Sequence, residues 1–164
     1  MKQHLVATQN DFAENIRRMA NDLLNQHLAD AIDLRLQAKQ GHWNVKGPNF
    51  IALHELFDEV EEEIAEFVDE IAERVVQLDG VALGTAKVVA QQSRLSEYPL
   101  EIISGREHIQ VFSGALAKFG KSVRAAIGLA VECNDADTAD LFTQVSRGID
   151  KLLWKVEAHA QCPY

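Results

Sequence analysis

Four side chains in one stretch of the chain are of the types that bind metal ions in proteins. His54 and Asp58 are four positions apart, and so are Asp69 and Glu73. At about 100° per residue, all four point to one side of a helix, and each i, i+4 pair can hold one small site. Imidazole combined with carboxylate suits iron, manganese or zinc. The spacing therefore predicts metal chemistry.

The separation of the two pairs prevents them from closing one site on one helix. They lie 15 residues apart, which is about 22 Å along a helix. In one interpretation, Asp69 and Glu73 are solvated acids within a run of carboxylates. In the other, two copies of the helix pack antiparallel about a two-fold axis near residue 63 or 64, so that each pair faces the other pair of the partner chain.

His42 favours the second interpretation. The turn between the first two helices centres near Gly47, with His42 five residues before it and His54 seven after it. A helical hairpin would therefore bring the two imidazoles close together. No Glu-x-x-His motif, which marks di-iron sites inside a bundle core, occurs in the chain. The predicted site lies between subunits and combines His42, His54, Asp58, Asp69 and Glu73.

Four long segments with apolar residues every three or four positions must position these side chains. The predicted helices span about 11–39, 49–78, 105–132 and 138–160, and a connection over 81–103 holds a short helix near 85–92. A connection of this length suits a crossover between parallel bundle helices. The expected fold is all-α, a single four-helix-bundle domain over 11–164 with a long crossover, preceded by a short flexible tail over 1–10.

Local signals predict where helices end and where they pack closely. Asp11 and Glu14 have the spacing of a capping box. Gly80 stands where a left-handed helix cap is expected. The apolar stripe of the first helix includes Met19 and His27, both expected to face the core or an interface. Glycines inside the third helix cost helix propensity and indicate close packing; they are Gly114, Gly120 and Gly128.

The composition excludes several classes of protein. Two cysteines among 164 residues are too few for a disulfide scaffold. The longest run without a polar residue, 125–131, is too short to cross a bilayer. The expected protein is therefore soluble and cytoplasmic. A formal net charge of −9 disfavours a general nucleic-acid-binding surface and suits cationic partners, metal ions included.

The sequence resembles the Dps family, small ferritin-like proteins that protect DNA during starvation. The resemblance rests first on the stretch 40–58, in which Gly-His-Trp-Asn-Val is followed by Leu53-His54 and Phe57-Asp58. Segments 69–74, 81–85, 98–100 and 137–140 are similar to the family as well, so the likeness extends over nearly the whole chain beyond residue 10.

The resemblance implies a hollow dodecamer of ferritin-like four-helix subunits, with a ferroxidase centre at each dimer interface. His42, His54 and Asp58 would come from one subunit, and Asp69 and Glu73 from its mate. It implies oxidation of Fe(II), preferentially by hydrogen peroxide and otherwise by oxygen, with storage of the ferric mineral. Fe(II) and hydrogen peroxide together form hydroxyl radical, so removing both would protect DNA from oxidative damage. Zinc or manganese could occupy the same site.

Two further groups take roles from the resemblance. Trp43 adjoins His42 and would be a redox-active neighbour of the iron site, with packing in the subunit interface as the alternative. Acids near the fourth helix would line three-fold pores through which iron passes. Helix capping is the alternative for them, and at least one residue is expected in each role. They are Asp135, Asp137 and Asp140.

DNA binding is where the chain departs from the best-known members of the family, which carry a lysine-rich terminal tail. Lys2 is the one lysine or arginine before Asp11, and residues 159–164 contain no Lys or Arg. Because neutralising phosphates requires several cations, DNA binding is expected to be weak or absent. The alternative function is a nucleoid-compacting protein that protects DNA physically. A third candidate is a structural helical bundle that neither binds metal nor catalyses a reaction.

Overall fold

The chain forms a bundle of helices in the computed structural model, which describes residues 8–161. Within that range there is no strand, and a single bridge pairs Lys46 with Ser104. None of these helices is sufficiently long and apolar to span a membrane. The predicted architecture, four long helices with a short one in the connection, is confirmed. The helices are α1 (Glu14–Asn44), α2 (Phe50–Gln77), α3 (Ala86–Gln92), α4 (Gly105–Glu132) and α5 (Ala136–Ala158).

The long connection carries the chain from one end of the bundle to the other. α1 and α2 form one helical hairpin and α4 and α5 form a second, with α1 packed on α4 and α2 on α5. Lys46, in the α1–α2 turn, donates its backbone N–H to the Ile103 carbonyl at 2.9 Å. The start of α4 therefore lies beside the start of α2. These two helices run parallel, as the crossover prediction requires.

The core is built from the inward faces of the four long helices. Four phenylalanines, Phe57, Phe112, Phe119 and Phe142, are fully buried in it. The Phe57 and Phe112 rings meet edge to face, with centroids 5.6 Å apart. The sequence predicts an apolar stripe along α2 and its C-cap, and every residue of that stripe is buried. They are Leu53, Phe57, Val60, Ile64, Phe67, Ile71, Val75 and Leu78. Burial of this stripe turns the acidic side of α2 outwards.

The start of α1 differs from the prediction. The helix begins at Glu14 with Ala13 as its N-cap, and no side chain caps it. Asn10 instead accepts a hydrogen bond from the Phe12 N–H at 3.0 Å, so the chain turns before the helix begins. The predicted Asp11–Glu14 capping box is therefore wrong. Met19, on the predicted apolar stripe, is 57% exposed in the single chain, while its neighbour Ala20 is buried.

The end of α2 also differs from the prediction. Asp79, not Gly80, adopts the left-handed conformation, with φ of 61°. The buried Asn21 side chain, which donates to the Leu78 carbonyl at 3.0 Å, explains the glycine that follows. A Cβ on Gly80 would lie 2.6 Å from that amide. Gly80 is therefore required by a close contact and not by backbone conformation.

Only one of the three glycines predicted to mark close packing does so within the chain. A Cβ on Gly120 would meet Ile149 at 3.2 Å, whereas Gly114 and Gly128 face open space. One very close contact between helices was not predicted. A Cβ on Gly148 would lie 2.3 Å from the Phe67 ring, so this glycine allows α5 to approach α2.

Gly148→Ala is expected to destabilise the bundle by about 1–3 kcal/mol, the usual cost of overpacking a core. Gly114→Ala is the matched control, because it lies inside a helix in open space and gains up to about 1 kcal/mol from helix propensity. Chemical denaturation followed by circular dichroism measures both variants. Equal stability of Gly148→Ala and the parent chain would contradict the Phe67 contact.

Candidate metal centre

The end of α1 and the start of α2 bring His42 and His54 into contact. α1 continues five residues beyond its predicted end at 39, so His42 lies in its last turn. Gly47, with φ of 117°, supplies a backbone conformation in the α1–α2 turn that other residues rarely adopt. The two imidazole rings stack with centroids 3.7 Å apart and planes 20° from parallel.

Each of these two histidines is held by the backbone of the other. His42 Nδ1 lies 2.8 Å from the His54 carbonyl oxygen, and His54 Nδ1 lies 2.8 Å from the His42 carbonyl oxygen. A carbonyl can only accept a hydrogen bond, so each Nδ1 carries the proton and donates it. Both Nε2 atoms then present a lone pair. This is the usual way in which a protein orients a metal-binding imidazole.

Asp58 lies one helical turn beyond His54. With His42 and His54 it forms a group of three candidate ligands. Its Oδ1 lies 3.8 Å from His42 Nδ1 and accepts a hydrogen bond from Lys39 Nζ. That hydrogen bond is the main reason why the pKa of Asp58 is below its ordinary value, and the charge of Lys39 adds to it. The carboxylate is therefore ionised at neutral pH and available to a cation.

Charged residues that no sequence motif indicated lie behind Asp58. Lys39 Nζ also lies 3.5 Å from the Glu61 carboxylate, which is largely buried and paired with Arg35. The signal was available in helical spacing, because Lys39 is three positions before His42 and Glu61 three after Asp58. A network of alternating charges thus holds the group from the α1 side.

Asp69 and Glu73 do not join this group within one chain. Both are exposed, and they lie near the other end of the same unbroken helix. Among residues 8–161, no set of three or more histidine, cysteine or acidic side chains is arranged to hold a metal ion. The structure thus brings together His42, His54 and Asp58 and leaves the second pair apart.

The surface beside the histidines is apolar and open in the single chain. Trp43 is 64% exposed and Ile51 is 60% exposed, and the Phe50 ring lies 5.1 Å from that of His54. Near Glu73, at the far end of α2, Val76 is also 60% exposed. Exposed apolar surface thus lies beside His54 and Asp58 and also beside Glu73. Such surface is typical of a face that another protein covers.

The three acids near α5 have different environments. Asp135 is fully buried as the N-cap of α5, where it accepts hydrogen bonds from the Thr138 N–H and hydroxyl and pairs with Arg74 at 2.9 Å. Its carboxylate is thus occupied, and Asp135 takes the capping role. Asp137 and Asp140 are exposed and are the remaining candidates for a pore.

Several known proteins are similar to this chain in fold and sequence. Residues 21–162 match the family of ferritin-like domains. The DNA protection during starvation protein of Agrobacterium fabrum is 43% identical over 161 residues, which is 98% of each chain. DpsC from Streptomyces coelicolor has a TM-score of 0.93 at 27% identity and is covered over 94% of its length by 98% of this chain. Mycobacterium smegmatis Dps has a TM-score of 0.90 at 27% identity, with 96% of each chain covered. The chain therefore belongs to the Dps family of ferritin-like proteins.

Proposed function

We propose that this protein is a ferroxidase and iron-storage protein that oxidises Fe(II), preferentially with hydrogen peroxide, and so protects DNA from oxidative damage. The observation that carries the proposal is the pair of histidines whose Nδ1 atoms are both occupied by backbone carbonyls. Such a pair can offer only its Nε2 atoms to a ligand. An ionised carboxylate beside it makes the group a half-site for a divalent cation.

The donor set fits iron as the substrate. Imidazole nitrogen binds Fe(II) well, and carboxylate oxygen stabilises the harder Fe(III). Three ligands from one chain leave coordination positions for further oxygen ligands and for the oxidant. Asp69 and Glu73 have the required chemistry and are exposed. Zinc or manganese, which the same donors accept, would compete with iron for the site.

A second copy of the chain is the proposed source of the missing ligands. A two-fold axis midway between residues 63 and 64 of paired α2 helices places His54 opposite Glu73 and Asp58 opposite Asp69. The same axis places Ile51 opposite Val76, and each of these is 60% exposed in the single chain. One symmetry operation thus completes both metal sites and covers the apolar residues around them. Trp43, on the same face, would lie at the edge of this contact as interface packing or as a redox-active neighbour.

The larger assembly is proposed to be the hollow dodecamer of the family, with ferric mineral inside. Asp137 and Asp140 are the proposed pore residues, because both carboxylates face outwards at the start of α5. The net charge of −9 on each chain would raise the local concentration of cations at such pores.

Anaerobic titration with Fe(II), followed by peroxide or oxygen, tests the proposal on protein of measured mass. Fe(II) is expected to bind at the dimer interface and to be oxidised faster by peroxide than by oxygen. Two Fe(II) ions should be consumed per peroxide, because peroxide accepts two electrons. A failure to bind Fe(II), or oxidation no faster than that of free Fe(II), would contradict the proposed function.

DNA binding is expected to be weak or absent near pH 7. Many of the basic side chains that the structure describes pair with acids of the same chain, including Arg17, Arg74 and Lys155, which reduces the positive charge available to phosphates. Lys2 lies outside the described residues. A gel-mobility assay at low salt is expected to show no stoichiometric compaction of DNA, and a variant with several lysines added before Asp11 serves as the positive control. Tight compaction by the parent chain would favour the alternative, physical protection of DNA.

A further inference from the structure

A tyrosine and a histidine form a hydrogen-bonded pair behind the candidate metal centre. Tyr98 lies in the crossover and His108 in the first turn of α4, with Tyr98 Oη 2.7 Å from His108 Nδ1. Their rings are stacked at 26°, with centroids 5.9 Å apart. His108 is only 1% exposed. Tyr98 Oη points at Gly41, where a Cβ would lie 3.1 Å from it.

The direction of the hydrogen bond follows from the environment of the two groups. Burial lowers the pKa of His108, although the Glu107 charge and the Ile102 carbonyl act to raise it. Burial also raises the pKa of Tyr98. The resting pair is therefore a neutral phenol beside a neutral imidazole. The phenol donates its proton to the lone pair on His108 Nδ1.

The second ring nitrogen of His108 makes the pair unusual for a packing contact. Among residues 8–161, no atom forms a hydrogen bond with the buried His108 Nε2. Leaving a buried polar atom unpaired costs stability, and an apolar residue would fill this position without that cost. Glu107 and the Ile102 carbonyl favour a positive charge on the ring. Burial outweighs both effects and keeps the resting ring neutral, so a second proton on His108 would be held only briefly.

The pair contacts residues that directly precede two candidate iron ligands. Gly41, beside the phenol, is followed by His42. The Phe57 ring, which meets the His108 ring edge to face with centroids 6.3 Å apart, is followed by Asp58. The pair therefore contacts each of the two helices that carry the candidate ligands, at the residue next to a ligand in sequence. Tyr98 is partly buried there.

We propose that Tyr98 and His108 together supply an electron to the oxidation reaction, a role that rests on the proposed function. When peroxide meets a centre holding one Fe(II), the iron gives one electron and Tyr98 gives the second. The phenol O–H bond breaks and its proton moves to His108 Nδ1, while peroxide accepts the two electrons, its O–O bond breaks and it leaves as two hydroxide ions. A second Fe(II) then reduces the Tyr98 radical, and the proton returns from His108. The balance is two Fe(III) per peroxide, with no hydroxyl radical released.

Photo-oxidation of the metal-free protein tests the pair without any iron. A ruthenium polypyridyl complex with persulfate supplies a one-electron oxidant, and electron paramagnetic resonance detects the tyrosyl radical. The chain has two tyrosines, so Tyr164→Phe is a matched control for Tyr98→Phe. The radical is expected to persist in Tyr164→Phe and to disappear when Tyr98→Phe is added to that variant. An unchanged signal in the double variant would overturn the proposal.

Proton transfer to His108 is tested with the variant His108→Asn and, separately, by comparing reaction rates in H2O and D2O. In His108→Asn, the amide oxygen can accept the phenol hydrogen bond but cannot take the proton. Radical formation is expected to slow by about 100-fold, the contribution of a positioned proton acceptor. The parent chain should also react more slowly in D2O, which keeps the test valid if the variant does not fold. Equal rates for His108→Asn and the parent chain, or equal rates in H2O and D2O, would contradict proton transfer to His108.

Freeze-quenching of Fe(II)-limited protein with peroxide then connects the pair to iron. The tyrosyl radical is expected in the parent chain, and trapped hydroxyl radical is expected to increase in Tyr98→Phe. If iron is oxidised without a Tyr98 radical, the electron-donor role is wrong and the ferroxidase function stands. If iron is not oxidised while photo-oxidation still yields the Tyr98 radical and its dependence on His108, the ferroxidase function fails and the pair remains a redox-active site.

Discussion

His54→Ala and Asp58→Ala are each expected to reduce peroxide-driven Fe(II) oxidation by about 100-fold or more while the assembly stays intact. Loss of a residue that merely orients a ligand lowers metal affinity or activity by about 10–100-fold, and these two residues would be ligands themselves. Neither side chain is part of the buried apolar core, so the bundle should fold normally. Stopped-flow absorbance of ferric product, with the mass of the assembly measured in parallel, checks both points.

Glu59→Ala is the matched control for this experiment. Glu59 is an exposed carboxylate directly after Asp58, but it turns towards Lys155 on α5. An exposed ion pair of this kind contributes only about 0–1 kcal/mol to stability. Iron oxidation by Glu59→Ala should match that of the parent chain. Unchanged oxidation in both His54→Ala and Asp58→Ala would overturn the assignment of the site.

Mixing two inactive variants is expected to restore activity if each site is shared between chains. In a dimer of His54→Ala with Glu73→Ala, one site loses both residues and the other keeps all five proposed ligands. When equal amounts co-assemble at random, half of the dimers are mixed and each has one intact site. Roughly a quarter of the parent activity should therefore return, as two-fold symmetry requires. Unfolding the variants together, reassembling them and repeating the stopped-flow assay measures this.

The control for co-assembly combines two variants from the same half of the site. His42→Ala mixed with His54→Ala leaves every site damaged, because both residues come from the same side of the interface. No activity should return, although native mass spectrometry, with one variant labelled with ¹⁵N, should show mixed assemblies. If His54→Ala and Glu73→Ala form mixed assemblies without any gain in activity, the shared site is wrong.

Much of the fold was predictable because helix formation and burial leave a periodic signal. The α2 stripe from Leu53 to Leu78 is buried at each predicted position, and the predicted bounds of the third long helix agree with those of α4. The failures occurred where a single local motif was interpreted alone. Asp11 and Glu14 have capping-box spacing without capping, whereas Ser104 and Glu107 form a complete capping box. A motif of this length needs a helix that begins at the right residue, and tertiary packing decides where it begins.

Some features of the candidate site could likewise be predicted from the sequence, and others could not. The two i, i+4 pairs and their separation are properties of one helix, so they could be predicted without the fold. The partners of Asp58 and the pairing of Tyr98 with His108 involve side chains from different elements. Tyr98 and His108 are ten residues apart in a region without helical periodicity between them. Only the crossover's path along the bundle brings the phenol against Gly41.

The sequence alone therefore determined which ligand types are present, that they lie on one side of α2, and that one chain cannot close a site with both pairs. These conclusions need only the rise and twist of a helix. Tertiary structure decided that the His42 and His54 carbonyls occupy each other's Nδ1 atoms, that Asp135 is buried in a cap, and that a tyrosine–histidine pair lies behind the centre. Hydrogen bonds between distant segments depend on how the helices pack, and packing is a property of the whole core.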